Sequence, residues 1–354
     1  MKPKLLILYN KLLHYRMPIF NILSQHYEVT VAYSYGCEPK CDMNFKRIKL
    51  TPYKVWKFTL HRENIFKLCN KFDVVLAYGE TSYLKYSFLA LHPNRHFKLI
   101  YWNIGAPASY TRHYGEGSRL YFAYTYFFQR RAEAHVSYAE EGRKLHIKHG
   151  FNPKMLFVAN NTVEVPKIEK NRKRNSIMFI GTLYPQKGIP ILLDAYKSAY
   201  TKNHNVLPLN IVGDGIMSDE ISVWIKEHHL EKKINMLGAL YSAEEKATVF
   251  AQAYACISPN QAGLAVLESM GYGVPFITSK NAITGGEAFN IDGKNGLRLE
   301  SLESLSDTIL DISSNPSKYE EMGSKAYDHY WSNRTPQGMA NGLMDAIDYV
   351  LSRK

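Results

Sequence analysis

The chain has 354 residues, of which 45% are hydrophobic and 21% charged, and this composition excludes a disordered chain. It is too long for one ordinary hydrophobic core, so two domains are expected. The net charge of +12 is uneven, because residues 1–165 contain 24 Lys+Arg against 11 Asp+Glu and residues 166–354 contain 20 against 21. This excess favours an anionic partner for the first half (a membrane surface, a phosphorylated lipid or a nucleic acid) over a basic surface that serves only solubility.

The first half alternates between short apolar runs and helical patterns. Runs rich in β-branched and aromatic residues predict strands at 4–10, 28–34, 72–79, 97–106 and 155–163. A helix is predicted from Pro18 to Gln25, and residues 134–150 predict a strand followed by a helix that ends at Gly150. The polar residues 164–175 then predict a linker.

The second half repeats this alternation. Strands are predicted at 176–182, 207–215, 234–240, 255–260 and 274–279. Helices are predicted at 189–200, near 218–228, at 242–253 and around Glu268. Strands that alternate with helices indicate a parallel sheet covered on both faces, so the chain is predicted to be α/β, with two doubly wound domains facing a cleft.

Cysteine usage and hydropathy favour a cytoplasmic protein. The four cysteines are few and scattered, at Cys37, Cys41, Cys69 and Cys256. No His or Cys cluster accompanies the C-x-x-x-C pair, so reduced thiols are a better interpretation than a metal site. Only five apolar residues precede Asn10, which is too short for a signal peptide. No run approaches the roughly 20 apolar residues that a membrane span needs.

Residues 259–276, PNQAGLAVLESMGYGVPF, place one carboxylate in an apolar stretch after a predicted strand. Gly263 is expected where the next helix begins, where free N–H groups and the helix dipole favour a phosphate. Glu268 follows about one turn later, and a carboxylate suits the paired hydroxyls of a ribose. The alternative is that Glu268 only complements the dipole of an early helical turn.

Three other loops at predicted strand ends carry candidate ligands. In IGTLYPQKG (180–188), Lys187 could reach a phosphate or belong to a solvated turn. IVGDG (211–215) is a glycine turn without the full G-x-G-x-x-G spacing. In YNKLLHYRMP (9–18), Arg16 suits phosphate and His14 could exchange protons near neutral pH, and both are predicted to face the cleft unless they are structural.

Taken together, these segments resemble the nucleotide-sugar domain of family-4 glycosyltransferases, which are retaining enzymes of the GT-B fold. The resemblance covers residues 175–315 and rests on FIGTLYPQKGIPILLDAY, LNIVGDG, SPNQAGLAVLESMGYGVPFITS and DGKNGLRL in that order. The first half matches more loosely, through HYRMPIF and VANNTVEV. The resemblance implies an acceptor-binding Rossmann-like domain at 1–165 and a nucleotide-sugar-binding one at 175–335. A final helix at about 336–354 is implied to pack back on the first domain.

The resemblance also assigns roles to residues. Glu268 matches the ribose ligand, Gly263 and Leu264 match backbone donors to the diphosphate, and Lys187 matches the phosphate-binding lysine. Asn161 matches the start of the interdomain segment. The remaining residues implied to bind the donor are Gly181, Thr182, Gly213, Asn260 and Gln261.

Two positions depart from the family pattern. Asn260 replaces the first motif Glu, which engages the transferred sugar, and Thr182 replaces an Arg that neutralises the leaving diphosphate. A variant site is therefore predicted, in which Asn260 and Gln261 hold the sugar and Arg16 supplies charge. The catalytic candidates are Lys187, Asn260, Glu268, Arg16 and His14.

The implied function is transfer of a hexose, with retention, from a nucleoside diphosphate sugar (a UDP-sugar favoured) to a hydroxyl. The acceptor is expected to be a glycan or lipid-linked molecule of cell-surface polysaccharide synthesis, bound by the basic first half. Alternatives are a GT-B-fold sugar-nucleotide epimerase and a non-catalytic partner subunit.

The expected partners and cofactors follow from the same features. No metal or other cofactor is expected, and the chain has no Asp-x-Asp motif. No nucleic-acid motif accompanies the positive charge. The chain could lie on the inner face of the cell membrane, where SRLYFAYTYFFQRRAEAH (118–135) could rest on the lipid interface. The alternative, which we favour, is that its aromatic residues pack in the core, namely Tyr121, Phe122, Tyr124, Phe127 and Phe128.

Overall fold

A computed structural model describes residues 1–36, 41–109, 112–167 and 173–353. The strands are β1 (Lys4–Lys11), β2 (Glu28–Tyr35), β3 (Lys46–Lys49), β4 (Pro52–Val55), β5 (Phe58–His61), β6 (Val74–Tyr78), β7 (Lys98–Asn103), β8 (Ala134–Ser137), β9 (Leu156–Val158), β10 (Ser176–Ile180), β11 (Leu209–Val212), β12 (Ile234–Gly238), β13 (Ala253–Ile257), β14 (Phe276–Ser279) and β15 (Gly296–Leu299).

The α-helices are α1 (Met17–His26), α2 (Ile65–Cys69), α3 (Leu84–Phe88), α4 (Arg119–Gln129), α5 (Glu140–Lys148), α6 (Ile189–Lys202), α7 (Ser218–Glu227), α8 (Ala243–Gln252), α9 (Ala265–Gly271), α10 (Leu305–Ser314), α11 (Pro316–Asn333) and α12 (Pro336–Leu351). Short 3-10 helices lie at His14–Arg16, Leu89–Leu91, Pro153–Met155, Pro185–Lys187, Glu287–Asn290 and Leu302–Ser304.

The chain divides into two compact units. Unit 1 comprises Met1–Pro107, Gly115–Val163 and Pro336–Lys354, and unit 2 comprises Ala108–Tyr114 and Glu164–Thr335. The short segment before α4 joins unit 2 through Tyr114, whose ring packs edge-on against Phe289 at 5.0 Å between centroids. The predicted first domain, residues 1–165, includes this segment, because no sequence pattern signals a contact between residues so far apart.

Unit 1 is built on a seven-stranded parallel sheet in the order β3-β2-β1-β6-β7-β8-β9. Its central strands are apolar on both faces, as a sheet covered by helices on both sides requires. The last helix, α12, packs against α1 and buries Met339, Leu343 and Ile347 in this core. A separate antiparallel hairpin, β4-β5, belongs to the same unit.

Unit 2 has a six-stranded parallel sheet in the order β12-β11-β10-β13-β14-β15. The strand order reverses between β10 and β13, which defines a topological switch point. Ligands of open α/β sheets bind at such a point, outside the carboxyl ends of the strands. The loops that follow β10 and β13 are therefore the ones that the fold places at a ligand site.

The α/β class with two Rossmann-like domains is confirmed, but several boundaries differ from the predictions. The strand predicted at 155–163 ends at Val158, and the helix that holds Glu268 begins at Ala265, not Gly263. β3, the β4-β5 hairpin, α2 and α3 were missed because each has only four or five residues. Cys37 and residues 168–172 of the predicted linker lie outside the described residues.

Candidate functional site

The site predicted in unit 2 is assembled from the two loops at the switch point. Gly181, Thr182 and Lys187 follow β10, whereas Asn260, Gln261, Gly263 and Leu264 follow β13. The main chains of the two loops are joined, because the Asn260 N–H donates to the Lys187 carbonyl at 3.3 Å. The fold thus brings together residues that lie more than seventy positions apart in the sequence.

Gly213 and Gly181 allow the loops after β11 and β10 to touch. A Cβ built on Gly213 would lie 1.9 Å from the Gly181 carbonyl oxygen, and Gly213 has a φ of 140°. No other residue type fits this approach without moving the backbone. A Cβ on Gly181 would in turn lie 3.1 Å from Lys187 Nζ. The glycine pair therefore forms one wall of the space that the lysine occupies.

Lys187 carries a buried amine at the end of the 3-10 helix Pro185–Lys187, and the residue is only 8% exposed. Burial disfavours the charged ammonium and lowers the pKa of Lys187. Within the described parts of the chain, no carboxylate forms an ion pair with it. A buried ammonium in this state is expected to favour an anionic ligand.

Asn260 is held against this lysine turn. The turn ends at Gly188, which adopts a left-handed conformation with φ 71°. A Cβ at Gly188 would lie 2.7 Å from Asn260 Nδ2, so only glycine lets the amide pack there. The Asn260 carbonyl accepts a hydrogen bond from the Ile283 N–H at 2.8 Å. Both main-chain groups of Asn260 are therefore fixed, and its amide side chain is half-buried at the switch point.

Gln261 has a partner that the sequence did not suggest. Its buried side chain accepts a hydrogen bond at Oε1 from the Tyr184 hydroxyl, with 2.6 Å between the oxygens. Tyr184 lies between Thr182, whose side chain is exposed, and Lys187 in the loop after β10. The pair ties the side chains of the two loops together, as the Asn260–Lys187 bond ties their backbones. The sequence signal for this pairing is limited to a tyrosine within the loop pattern 180–188.

Gly263 and Leu264 precede α9 and present an open surface. A Cβ built on Gly263 would meet no atom within 4 Å. Leu264 is the N-cap of α9 and has helical backbone angles. Among the residues that the structure describes, neither the Gly263 nor the Leu264 N–H donates a hydrogen bond. Two backbone N–H groups at the start of α9 thus have no acceptor among the described residues.

Glu268 is held by an ion pair that sequence reasoning missed. It lies in the first turn of α9, and its Oε1 accepts from Lys246 Nζ at 2.9 Å. The side chains are 14% and 24% exposed, so the pair is screened less than a surface one. Lys246 lies on α8, whose start is fixed by a capping box between Ser242 and Glu245. No motif pointed to Lys246, because the pairing depends on how α8 and α9 pack.

The three remaining candidates belong to unit 1. His14 is exposed on the 3-10 helix His14–Arg16, whereas Arg16 is buried at 2% exposure. The sequence predicted that Arg16 faces the cleft and supplies charge to the site. Its guanidinium is enclosed by side chains of unit 1, and its catalytic role stays a prediction. Asn161 is half-buried and follows β9, where its Oδ1 accepts from Arg16 Nη2 at 2.8 Å.

Arg16 has a complete set of neighbours in the interior of unit 1. Its Nε donates to the Tyr9 hydroxyl at 3.1 Å, and its Nη1 lies 3.1 Å from Met339 Sδ. The guanidinium also lies over the rings of Trp102 and Tyr138, at 5.2 and 5.1 Å from their centroids. These contacts link β1, β7 and α12, which is a structural role.

A search of the described ranges for other ligands and anchors gives two findings. They contain no group of three or more His, Cys, Asp or Glu side chains placed to hold a metal ion. No helix in them is both long and apolar enough to cross a membrane.

The two Rossmann-like units have the architecture of the GT-B fold. Residues 160–329, just under half of the chain, match the family model Glycosyl transferases group 1. This part of the chain is therefore similar to that family.

Part of the chain is also similar to a known enzyme. Over 192 residues it is 24% identical to the poly(ribitol-phosphate) alpha-N-acetylglucosaminyltransferase of Staphylococcus aureus (strain COL). That match covers 53% of this chain and 38% of the relative, so the chain corresponds to well under half of that protein.

Solved structures show the same fold over nearly the whole chain. Anabaena Alr3699/HepE in complex with UDP matches with a TM-score of 0.72, 15% identity, and coverage of 98% of this chain and 99% of the other. A variant of S. aureus TarM in complex with Fondaparinux, alpha-GlcNAc-glycerol and UDP matches with a TM-score of 0.68 and 12% identity. That match covers 98% of this chain and 100% of the other.

Proposed function

We propose that the protein is a retaining glycosyltransferase that moves a hexose from a nucleoside diphosphate sugar to an acceptor hydroxyl. The observation that carries the proposal is the buried ammonium of Lys187, which pairs with no carboxylate of the described residues, at the switch point of a glycosyltransferase domain. The diphosphate lies against Lys187 and accepts from the backbone N–H groups of Gly263 and Leu264. Gly263 leaves the space that this approach needs.

Glu268 binds the ribose in this proposal. Lys246 occupies Oε1, so the other carboxylate oxygen remains to accept from a ribose hydroxyl. Asn260 and Gln261 contact the transferred sugar. Tyr184 fixes the amide orientation of Gln261, because its hydroxyl donates to Oε1 and leaves the amide NH2 group available.

The chemistry needs stabilisation of the departing diphosphate more than a protein nucleophile. The bond from the anomeric carbon to the phosphate oxygen breaks, and a bond to the acceptor oxygen forms on the same face. The acceptor proton passes to the departing phosphate oxygen. Lys187 and the two backbone donors stabilise the negative charge that develops on that oxygen, which is work that a divalent cation performs in other sites. We therefore propose a transfer that does not depend on metal.

A UDP-sugar is the favoured donor, and the acceptor is a glycan or lipid-linked molecule of the cell surface. The proposal is supported by the UDP bound to the HepE and TarM structures and by the polyol-phosphate named for the S. aureus relative. The excess of basic residues in 1–165 complements an anionic acceptor or membrane surface. We place the protein peripherally on the cytoplasmic face of the membrane.

The test is turnover of UDP-glucose, UDP-galactose and UDP-GlcNAc in EDTA, with and without a glycan or polyol-phosphate acceptor. Transfer that retains the anomeric configuration and disappears in Lys187→Met supports the proposal. Conversion of the donor sugar at C2 without acceptor would instead identify an epimerase. Nucleotide binding without turnover of any donor would identify a non-catalytic subunit.

A further inference from the structure

The β4-β5 hairpin, residues 52–61, exposes apolar side chains that the fold of unit 1 leaves uncovered. Strand register places Tyr53, Val55, Phe58 and Leu60 on one face, since Tyr53 pairs with Leu60 and Val55 pairs with Phe58. Tyr53 is 43% exposed and Val55 52% exposed. Phe58 and Leu60 are half-buried, so the exposed apolar part of this face is the β4 edge with Tyr53 and Val55.

The opposite face anchors the hairpin to unit 1. Thr59 and His61 are buried on that face, and the Thr59 N–H donates to the Ser82 carbonyl at 2.8 Å. His61 accepts or donates a 2.8 Å hydrogen bond with Ser34 and stacks on Tyr86 at 5.1 Å. The base of the hairpin is thus fixed, so its apolar face is presented by a supported element and not by a loose loop.

Trp56 lies at the turn and is 79% exposed. Its φ of 52° is a left-handed conformation that a bulky residue rarely adopts, so local backbone preference does not explain a tryptophan there. The Lys57 ammonium lies 4.2 Å from the centre of its ring. An exposed tryptophan beside a lysine is the combination that favours the boundary between lipid headgroups and acyl chains.

The charge around the hairpin has one sign. Residues 43–62 contain six Lys and Arg and no Asp or Glu. Carboxylates flank this segment at Asp42 and Glu63, and Glu63 accepts from the Thr51 N–H at 2.9 Å. Glu28 pairs with Lys46 at 2.7 Å, so the basic residues remain in excess. Positive charge around an exposed apolar face complements a surface that is both apolar and anionic.

We propose that the hairpin 52–61 is a membrane anchor that inserts Trp56, Val55 and Tyr53 into the interface of an anionic bilayer. The basic residues of 43–62 hold the lipid headgroups. This inference rests on the proposed membrane-surface location and names the segment that makes the contact. It is independent of the nucleotide site, since every residue that carries it belongs to unit 1 and lies outside the group 1 domain.

The test is co-sedimentation of the full chain with vesicles of phosphatidylcholine, with and without phosphatidylglycerol. We expect binding only to the anionic vesicles, and binding that weakens as salt rises. Trp56→Asn should reduce the partition coefficient at least about tenfold, because asparagine tolerates the left-handed turn but cannot enter the interface. Reversing charge with Lys54→Glu and Lys57→Glu should have an effect at least as large.

The matched control is Leu120→Asn on α4, where an 80% exposed leucine belongs to the aromatic segment 118–135. The proposal requires that this variant binds vesicles like the wild type. Loss in Leu120→Asn with retention in Trp56→Asn would move the contact to α4 and overturn the proposal. Absence of wild-type binding, or equal binding to neutral vesicles, would also overturn it.

Two more measurements distinguish a membrane anchor from a dimer interface and from damage to the nucleotide site. If a second copy of the chain covers the hairpin instead, light scattering without lipid would show a dimer of the wild type and a monomer of Trp56→Asn. That result would overturn the membrane role. A thermal-shift assay with UDP in the same variants checks the nucleotide site. Retained UDP binding with lost vesicle binding supports the anchor, whereas a wild type that binds vesicles and no nucleotide contradicts only the proposed enzyme function.

Discussion

Arg16 and Lys187 occupy equivalent places in the two units. Each is the last residue of a three-residue 3-10 helix between the first strand of its sheet and the helix that follows. Each is buried, and within the described ranges neither pairs with a carboxylate. The sequence suggested the same role for both, namely to neutralise a phosphate.

The difference between the two cations lies in what surrounds them. Arg16 donates to Tyr9 and Asn161 and is enclosed by aromatic rings, so the interior of unit 1 satisfies it. Lys187 faces Gly181, and its ammonium lies 5.9 Å from the centre of the Tyr184 ring. We therefore propose that similar positions in the two units serve two purposes: the arginine stabilises unit 1, and the lysine is left for a ligand.

The largest expected effect is on the lysine. Lys187→Met should weaken nucleoside diphosphate binding roughly 10- to 150-fold, because a charge-assisted contact is worth about 1.5–3 kcal/mol. Transfer should fall further, by about 10²–10³, because the charge on the leaving group grows in the transition state. Stability should stay level or rise, since an unpaired buried charge is removed. Calorimetry and steady-state kinetics measure these effects, and normal affinity in the variant would contradict the account.

Arg16→Met should show the opposite pattern. We expect a loss of about 2–4 kcal/mol in the free energy of unfolding, because the buried Tyr9 hydroxyl and the half-buried Asn161 amide oxygen lose their donor. UDP affinity should remain within about twofold of the wild type. Arg16→Lys is the control that keeps the charge and loses the fork-shaped contacts. Urea unfolding checks the first claim, and a stable variant with lost UDP binding would reverse the two assignments.

Two glycines sharpen the distinction between structure and binding inside unit 2. Gly213→Ala should destabilise by about 1–3 kcal/mol, because its Cβ would clash with the Gly181 carbonyl. Gly263→Ala should leave stability within about 0.5 kcal/mol, because open space surrounds it, but should weaken binding of UDP. Thermal denaturation with and without UDP measures both effects. If Gly213→Ala and Gly263→Ala lost equal free energies of unfolding, Gly263 would be needed for the fold and not for nucleotide binding.

The Lys246–Glu268 pair gives a smaller effect. Lys246→Met should weaken UDP binding by about tenfold, the equivalent of about 1.4 kcal/mol, and should weaken binding of 2′-deoxy-UDP much less. The reason is that Lys246 positions the ribose ligand and does not touch the nucleotide. In a double-mutant cycle, Lys246→Met should add little further loss of UDP affinity to the loss that Glu268→Gln causes. Additive losses, or equal losses for ribose and deoxyribose, would remove Lys246 from the site.

The last prediction concerns the pH dependence of the stability of unit 1. Burial lowers the pKa of His135 to about 3 and that of His61 to about 4. In the unfolded chain both imidazoles have a pKa of about 6.5, so the unfolded state takes up protons before the folded state does as the pH falls. Stability should therefore be complete above about pH 6.5 and decline towards pH 4 and then 3. Calorimetric melting across this range tests the direction, and a flat profile would contradict buried, neutral imidazoles.

The sequence carries a local signal for the proposed site in unit 2 but none for the surroundings of Arg16 in unit 1, for a physical reason. The loops around Lys187 and Gly263 combine glycine, a cation and a strand end within a few residues, so the pattern that predicts a phosphate site is local. The surroundings of Arg16 are not local, because Met339 arrives from the last helix and Asn161 from a distant loop. The same holds for Lys246, which depends on the packing of two helices, and for the hairpin, whose outward apolar face appears only once its register is known.

The central claim is that Lys187, and not Arg16, is the cation that a nucleotide binds. The most direct measurement is calorimetric titration of UDP, GDP, ADP and CMP, in EDTA, into the wild type, Lys187→Met, Glu268→Ala and Arg16→Met. The account predicts that one nucleotide, UDP, binds the wild type and Arg16→Met alike and binds the other two variants much more weakly. Binding that survives Lys187→Met but is lost in a folded Arg16→Met would contradict it.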